Sequence, residues 1–172
     1  MGITRLNHAV LYVSDVERSV AFYSEVLGFT RVDIDIPGMA AAFMQAPGSN
    51  NDHDLGLFQI GASAGASQAG RSTVGLYHLA WEVDTLAAMR ELAGRLQANG
   101  ALAGASDHGS TKSLYGRDPD GLEFEIAWII PAGMLDEQAL AARTRIGRLD
   151  LDREIERYGA DTPGGIGISQ PA

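Results

Sequence analysis

Apolar and polar positions along the chain fall into a pattern that occurs twice. Leu6 to Val13 reads as a strand. Val16, Val20, Tyr23 and Leu27 then recur at helical spacing, and Gly28 suits the position just past a helix end. Ser14-Asp15-Val16-Glu17 ahead of them fits a capping box, with Ser14 as N-cap and Glu17 reaching back. Strand patterns follow over Phe29 to Ile36, Ala41 to Gln45 and Leu55 to Ile60, separated by Pro37-Gly38 and by Pro47-Gly48-Ser49-Asn50-Asn51. Leu76 to Val83 starts the second round. Asp84 is the candidate N-cap, Leu86, Met89, Leu92 and Leu96 form the apolar stripe, and Asn99-Gly100 ends it. Lys112 to Gly116 and Leu122 to Ile130 are strands on either side of an Asp118-Pro119-Asp120-Gly121 turn.

Gly61 to Thr73, rich in Gly, Ala and Ser, reads as a linker between the two copies. The expected organisation is one catalytic domain over residues 1–131, made of modules at about 5–60 and 75–130. Pro131 ends the second module. Leu135 to Tyr158 has the pattern of one charged, amphipathic helix, and Asp161 to Ala172 that of a loose tail.

The copies are aligned by two histidines. Leu6-Asn7-His8 and Leu76-Tyr77-His78 share Leu-x-His, and Val13 and Val83 close the two strands at the same offset. A lone strand histidine is more often an ordinary core or surface residue than a ligand. Equivalent places in a repeat favour a shared role for this pair. Glu125, on the strand after the Asp-Pro-Asp-Gly turn, supplies a carboxylate. Two imidazoles and one carboxylate can occupy one face of a divalent metal and leave the opposite face open. Glu123 shares a strand face with Glu125 and competes with it for the role.

Composition narrows the field. The 172 residues hold 22 acidic and 13 basic side chains, a formal net charge of -9, which argues against nucleic acid as a partner. Hydrophobic content of 45% is that of a globular protein, and no apolar run is long enough to span a bilayer. Zero cysteines exclude disulfides and thiolate metal sites. The first strand begins almost at once with no signal peptide ahead of it, so the expected location is cytoplasmic.

The duplicated strand-helix-strands unit, the two Leu-x-His openings, and Asp-Pro-Asp-Gly with Glu125 four residues beyond Gly121 resemble the vicinal oxygen chelate superfamily over roughly residues 5 to 130. That superfamily includes glyoxalases, bleomycin-binding proteins, fosfomycin-modifying enzymes and extradiol ring-cleaving dioxygenases. The resemblance implies an α+β fold of two βαβββ modules. It implies that these pair into a half-barrel around a central metal, with His8, His78 and Glu125 as ligands. Asp52-His53-Asp54-Leu55-Gly56-Leu57 resembles the stretch that carries the acid-base histidine of small extradiol dioxygenases, with Gly56 where that family often has Ala. Tyr115, ten residues before Glu125, resembles the tyrosine that holds substrate near the metal, and His108 resembles a further substrate-binding histidine.

All four histidines of the chain thus fall on positions an extradiol dioxygenase uses. The activity so implied is ring cleavage of a catechol-type aromatic diol by O2, with iron(II) first and manganese(II) next as the metal. A metal-held catechol is more acidic than a free one. His53 would take a proton from its second hydroxyl and later return it, and an unperturbed imidazole titrates in the right range. A glyoxalase-like isomerase competes, but no Glu occurs between Glu25 and Glu82 to serve as a fourth ligand, and Gln59 is the only nearby amide. A fosfomycin-type thiol transferase would need a cationic pocket, for which the second half offers Arg90, Arg95, Lys112 and Arg117. A non-enzymatic binding protein would not need the triad. Phe43, Leu57 and Trp81 are candidate pocket walls, and the C-terminal helix could support a homodimer contact.

Overall fold

The computed structural model describes residues 2–3, 5–70 and 72–165. The chain divides into two compact units: Met1–Gln68 with Asp118–Gly121, and Ala69–Arg117 with Leu122–Ala172. Each contains a four-stranded mixed sheet and a helix in the order βαβββ, so the α+β class and the internal repeat both hold. The part of the expected tail at residues 166–172 lies outside the described residues.

The first unit comprises β1 (Ala9–Val13), α1 (Val16–Glu25), β2 (Thr30–Val32), β3 (Ala41–Gln45) and β4 (Leu55–Gln59). The sheet order is β1-β4-β3-β2, with β1 and β4 parallel and the other pairs antiparallel. Alternation along β1 sends Leu11 and Val13 into the core while Val10 and Tyr12 face the other way. Leu55, Leu57, Ala42 and Met44 complete the buried face, and α1 covers it with Val16 and Tyr23. Burying a side chain of this kind stabilises by about 1.5–3 kcal/mol. Leu57 is therefore core rather than a pocket wall.

The α1 N-cap differs from the capping-box expectation. Asp15, not Ser14, accepts the Arg18 N–H at 3.0 Å. Ser14 is engaged by the Asp-Pro-Asp-Gly turn: its backbone N–H and hydroxyl donate to Asp120 at 2.8 and 2.5 Å. The turn is braced internally, since Asp118 accepts the Asp120 N–H at 2.9 Å, and Gly121 takes φ +79. β2 is also shorter than the Phe29–Ile36 expected. Phe29 turns into the core beside Tyr23, and the chain leaves the sheet at Asp33.

The second unit comprises β5 (His78–Glu82), α2 (Leu86–Ala98), β6 (Leu102–Asp107), β7 (Thr111–Arg117) and β8 (Glu123–Ile129). Its order, β5-β8-β7-β6 with β5 parallel to β8, repeats the first. The N-cap of α2 is Thr85, one residue past the expected Asp84, and its hydroxyl accepts the Ala88 N–H at 3.1 Å. Leu86, Met89 and Leu96 are fully buried with Leu114, Phe124, Ile126 and Trp128. Trp81 is in register with Ile126, on the strand face opposite His78. β6 has no clear hydrophobic alternation in its Leu-Ala-Gly-Ala-Ser-Asp sequence, and pairing to β7 reveals it. Gly116 on β7 lies under the Phe124 ring, where a Cβ would meet Cε2 at 2.7 Å, so a larger residue would have to displace that ring.

Beyond Pro131 the expected single helix is two. A 3-10 turn (Ala132–Met134) leads to α3 (Glu137–Ala142), and α4 (Leu151–Tyr158) follows a non-helical stretch. The break arises where Gly147 pairs with Asp107 in both directions, N–H to O, at 2.9 and 2.8 Å. Asp150 then recaps the chain by accepting the Arg153 N–H. α4 lies on the second unit, with its Tyr158 ring 5.6 Å from that of Trp128.

Candidate metal centre and its surroundings

His78 and Glu125 are brought together by the parallel pairing of β5 with β8, where Ala80 is opposite Glu125. His78 Nε2 stands 3.1 Å from Glu125 Oε2. Two neighbouring ligands about 2.1 Å from a six-coordinate metal lie about 3 Å apart, so this pair has the spacing of adjacent donors. The other Glu125 oxygen accepts the Ser113 hydroxyl at 2.5 Å. One oxygen is thereby anchored and the other is left to the imidazole. His78 Nδ1 is buried with no hydrogen-bond partner.

Tyr115 is the cross-strand partner of Glu125. Burial, and next the Glu125 charge, hold its hydroxyl above the usual tyrosine range, so at neutral pH it is a protonated donor. His108 Nε2 lies 2.8 Å from that hydroxyl. Glu123 has other partners: it pairs with Arg117 at 3.6 Å and raises the Tyr77 hydroxyl pKa, mainly by a hydrogen bond.

The first unit brings His8 and His53 together, with ring centroids 4.6 Å apart. Both sit just ahead of strands that pair in parallel, β1 and β4. His8 Nδ1 donates to the Asn7 amide oxygen at 2.7 Å, and His53 Nδ1 to Asp52 at 2.9 Å. Each ring thus spends Nδ1 on a neighbour and has Nε2 to offer. Phe43 packs edge-on against His53 at 4.9 Å, so of the three proposed walls Phe43 touches a candidate site residue. Asn51 organises the approach: its amide nitrogen donates to the Asn7 carbonyl and to Asp54, both at 2.8 Å.

Among the described residues no three His, Cys, Asp or Glu side chains form a group that could hold a metal ion. Two pairs, His78–Glu125 and His8–His53, are what the structure places together. Ser113, Asn7 and Asn51 were not legible as site residues. Ser113 had a signal in the strand period, since it shares a β7 face with Tyr115 two residues away.

The fold has counterparts. The family model described as the Glyoxalase/Bleomycin resistance protein/Dioxygenase superfamily matches residues 5–126. The chain belongs to this superfamily. Among similar solved structures is a glyoxylase/bleomycin resistance protein/dioxygenase domain from Frankia sp. EAN1pec, 23% identical, with a TM-score of 0.59 over 73% of this chain and 92% of that one. Lactoylglutathione lyase from Agrobacterium tumefaciens is 24% identical, with a TM-score of 0.54 over 74% and 95%. A mutant of the fosfomycin resistance protein FosX from Listeria monocytogenes, complexed with Mn(II) and 1S,2S-dihydroxypropylphosphonic acid, is 20% identical, with a TM-score of 0.54 over 73% and 92%. These likenesses establish the fold. No curated protein sequence matches the chain.

The vicinal oxygen chelate fold hosts several reactions, so activity has to come from the side chains. No helix among the described residues is long and apolar enough to cross a membrane.

Proposed function

We propose that this superfamily member is a divalent-metal enzyme of the extradiol dioxygenase kind, acting on a catechol-type diol with O2. His78 and Glu125 would be two of its metal ligands, and the superfamily resemblance, rather than the geometry, assigns His8 the third place. Iron(II) suits this donor set, and manganese(II) is the next candidate. When bound, the metal would supply Lewis acidity and a meeting place for two substrates.

The observation that carries the proposal is the Asp52–His53 pair beside His8. Asp52 fixes the His53 ring through Nδ1, and the ring lies 4.6 Å from His8 on the aromatic side of Phe43. A general base oriented in this way, next to a ligand, is what deprotonation of a second phenolic hydroxyl requires. His53 Nε2 would take that proton and give it back later in the cycle. Tyr115, protonated at neutral pH, would donate to a substrate oxygen. Ser113 would keep Glu125 from turning away.

Two competing activities lose support. Gln59, the amide the sequence offers as a fourth isomerase ligand, instead accepts the Val16 N–H at 3.0 Å at the start of α1. It is in register with Val13, on the strand face opposite Val10. The cations a phosphonate pocket would use are also engaged: Arg90 with Asp152, Arg95 with Glu91, Arg117 with Glu123, and Lys112 with Asp107 and Glu154.

The test is anaerobic loading with iron(II), then oxygen uptake over a panel of catechols. Uptake with yellow ring-cleavage product is expected for at least one diol. Full metal loading with no uptake for any diol would sink the assignment.

A further inference from the structure

Residues 132–165 lie beyond the family match, which ends at residue 126. The structural neighbours also leave about a quarter of the chain uncovered while themselves being covered almost in full (73% against 92%, for example). This extension packs on α2 and β8 of the second unit and also grips the β6–β7 turn that carries His108.

The grip is made from several directions. Gly109 takes φ +78 with the C-terminal end of α3 directly against it. A Cβ there would overlap the Ala139 carbonyl oxygen and come within 2.8 Å of Ala142 C and Arg143 N. Gly147 extends β6 by its paired hydrogen bonds to Asp107. Asp107 Oδ1 accepts the Gly109 N–H at 2.8 Å and the Lys112 ammonium at 2.6 Å. Lys112 is 1% exposed and its ammonium also meets Glu154 of α4, 4% exposed, at 3.0 Å.

A charge buried this deeply is costly unless every partner is in place, so the pair tolerates few alternative arrangements. The turn is therefore held at both ends, and His108 is its first residue. His108 N–H donates to the Thr111 carbonyl at 2.9 Å, and its Nε2 reaches the Tyr115 hydroxyl.

We infer that the C-terminal extension is a clamp that positions His108 against Tyr115, with Glu154 and Gly109 as positioning residues for the substrate site. Through it, a segment outside the common superfamily span sets the direction of the Tyr115 hydroxyl beside Glu125. The consequence for the site rests on the assignment of Tyr115 and His108 proposed above. The clamp itself does not.

The experiment reads the imidazole 15N signals of the metal-free full chain. The His108 signal is identified as the one that Tyr115→Phe shifts. Gly109→Ala, which expels α3, and Glu154→Ala, which unlatches α4, should each move that signal toward its Tyr115→Phe position. The signals of His8, His53 and His78 should stay in place, and Glu154→Gln should restore most of the His108 shift. If Gly109→Ala does not fold by circular dichroism, Glu154→Ala decides. An unmoved His108 signal in a folded variant, or equal movement of all four histidines, would overturn the clamp. No metal or diol is present, so a wild-type protein that fails to cleave diols leaves this result standing, and the reverse also holds. Where a diol is turned over, Glu154→Ala should lower kcat severalfold in the wild-type background and have no further effect in Tyr115→Phe.

Discussion

Asp120 holds Ser14 by both of the groups that serine can donate, its backbone N–H and its hydroxyl. The residues are 106 positions apart, yet the contact fixes the start of α1. Arg18 joins it at 2.6 Å. Asp120→Ala should leave a half-buried N–H unpaired and cost about 1–3 kcal/mol. The expected result is a melting temperature lower by several degrees with secondary structure intact, measured by thermal circular dichroism. Asp120→Asn, which keeps an acceptor, should lose less.

Glu125 and Glu123 project from the same face of β8 but have different partners. Glu125→Ala should reduce divalent-metal affinity by about 100-fold or more, since even outer-shell changes at metal sites cost 10–100-fold. Glu123→Ala should leave affinity unchanged. Calorimetric titration with manganese(II) separates them, and equal losses would mean the wrong carboxylate has been assigned.

His53→Ala should retain metal and reduce turnover by about 10²–10⁴, the usual weight of a general base. Asp52→Asn should give a smaller loss, because the ring remains but its orientation is less well held. Metal content and oxygen uptake on the same preparations check both. Metal loss in His53→Ala would make His53 a ligand.

Tyr23 gives the protein an alkaline limit. Burial first, then the charge of Asp118, hold its hydroxyl well above the usual tyrosine value. The folded state therefore keeps this proton at pH values where the unfolded chain, with a tyrosine pKa of about 10, has released it. The stabilisation is complete below about pH 10 and is lost as pH rises from there toward the folded value. Tyr23→Phe should remove this part of the pH dependence at the cost of a weak 3.4 Å hydrogen bond. Denaturant melts at pH 8 and pH 11 would show it.

The parts legible from sequence are those written in local periodicity. Both histidine strands, both central helices and the Asp-Pro-Asp-Gly turn could be located because alternation, helical spacing and turn chemistry act over a few residues. What escaped depends on distant partners. Ser14 looked like a cap because nothing local announces Asp120. β6 was invisible because Ala, Gly and Ser carry little burial signal, and its pairing with β7 defines it. The helical pattern after Pro131 continued through residues 143–150, but the pairing of Gly147 with Asp107 overrode it. At the candidate site, Glu125 was readable from its distance to the turn. The Ser113 hydroxyl that anchors it required the β7–β8 register.

In both units the strand that begins at or just after the histidine pairs in parallel with the last strand of its own unit: β1 with β4, and β5 with β8. A nascent chain thus has His8 long before it has the strand that seats it, and the same is true of His78. Contacts this distant in sequence form slowly, because the intervening loop must close first. During refolding, binding competence should appear only with the final closure of each unit, later than the helix signal. A divalent metal added at the start of refolding would then leave the early helical phase unchanged and act on the last one.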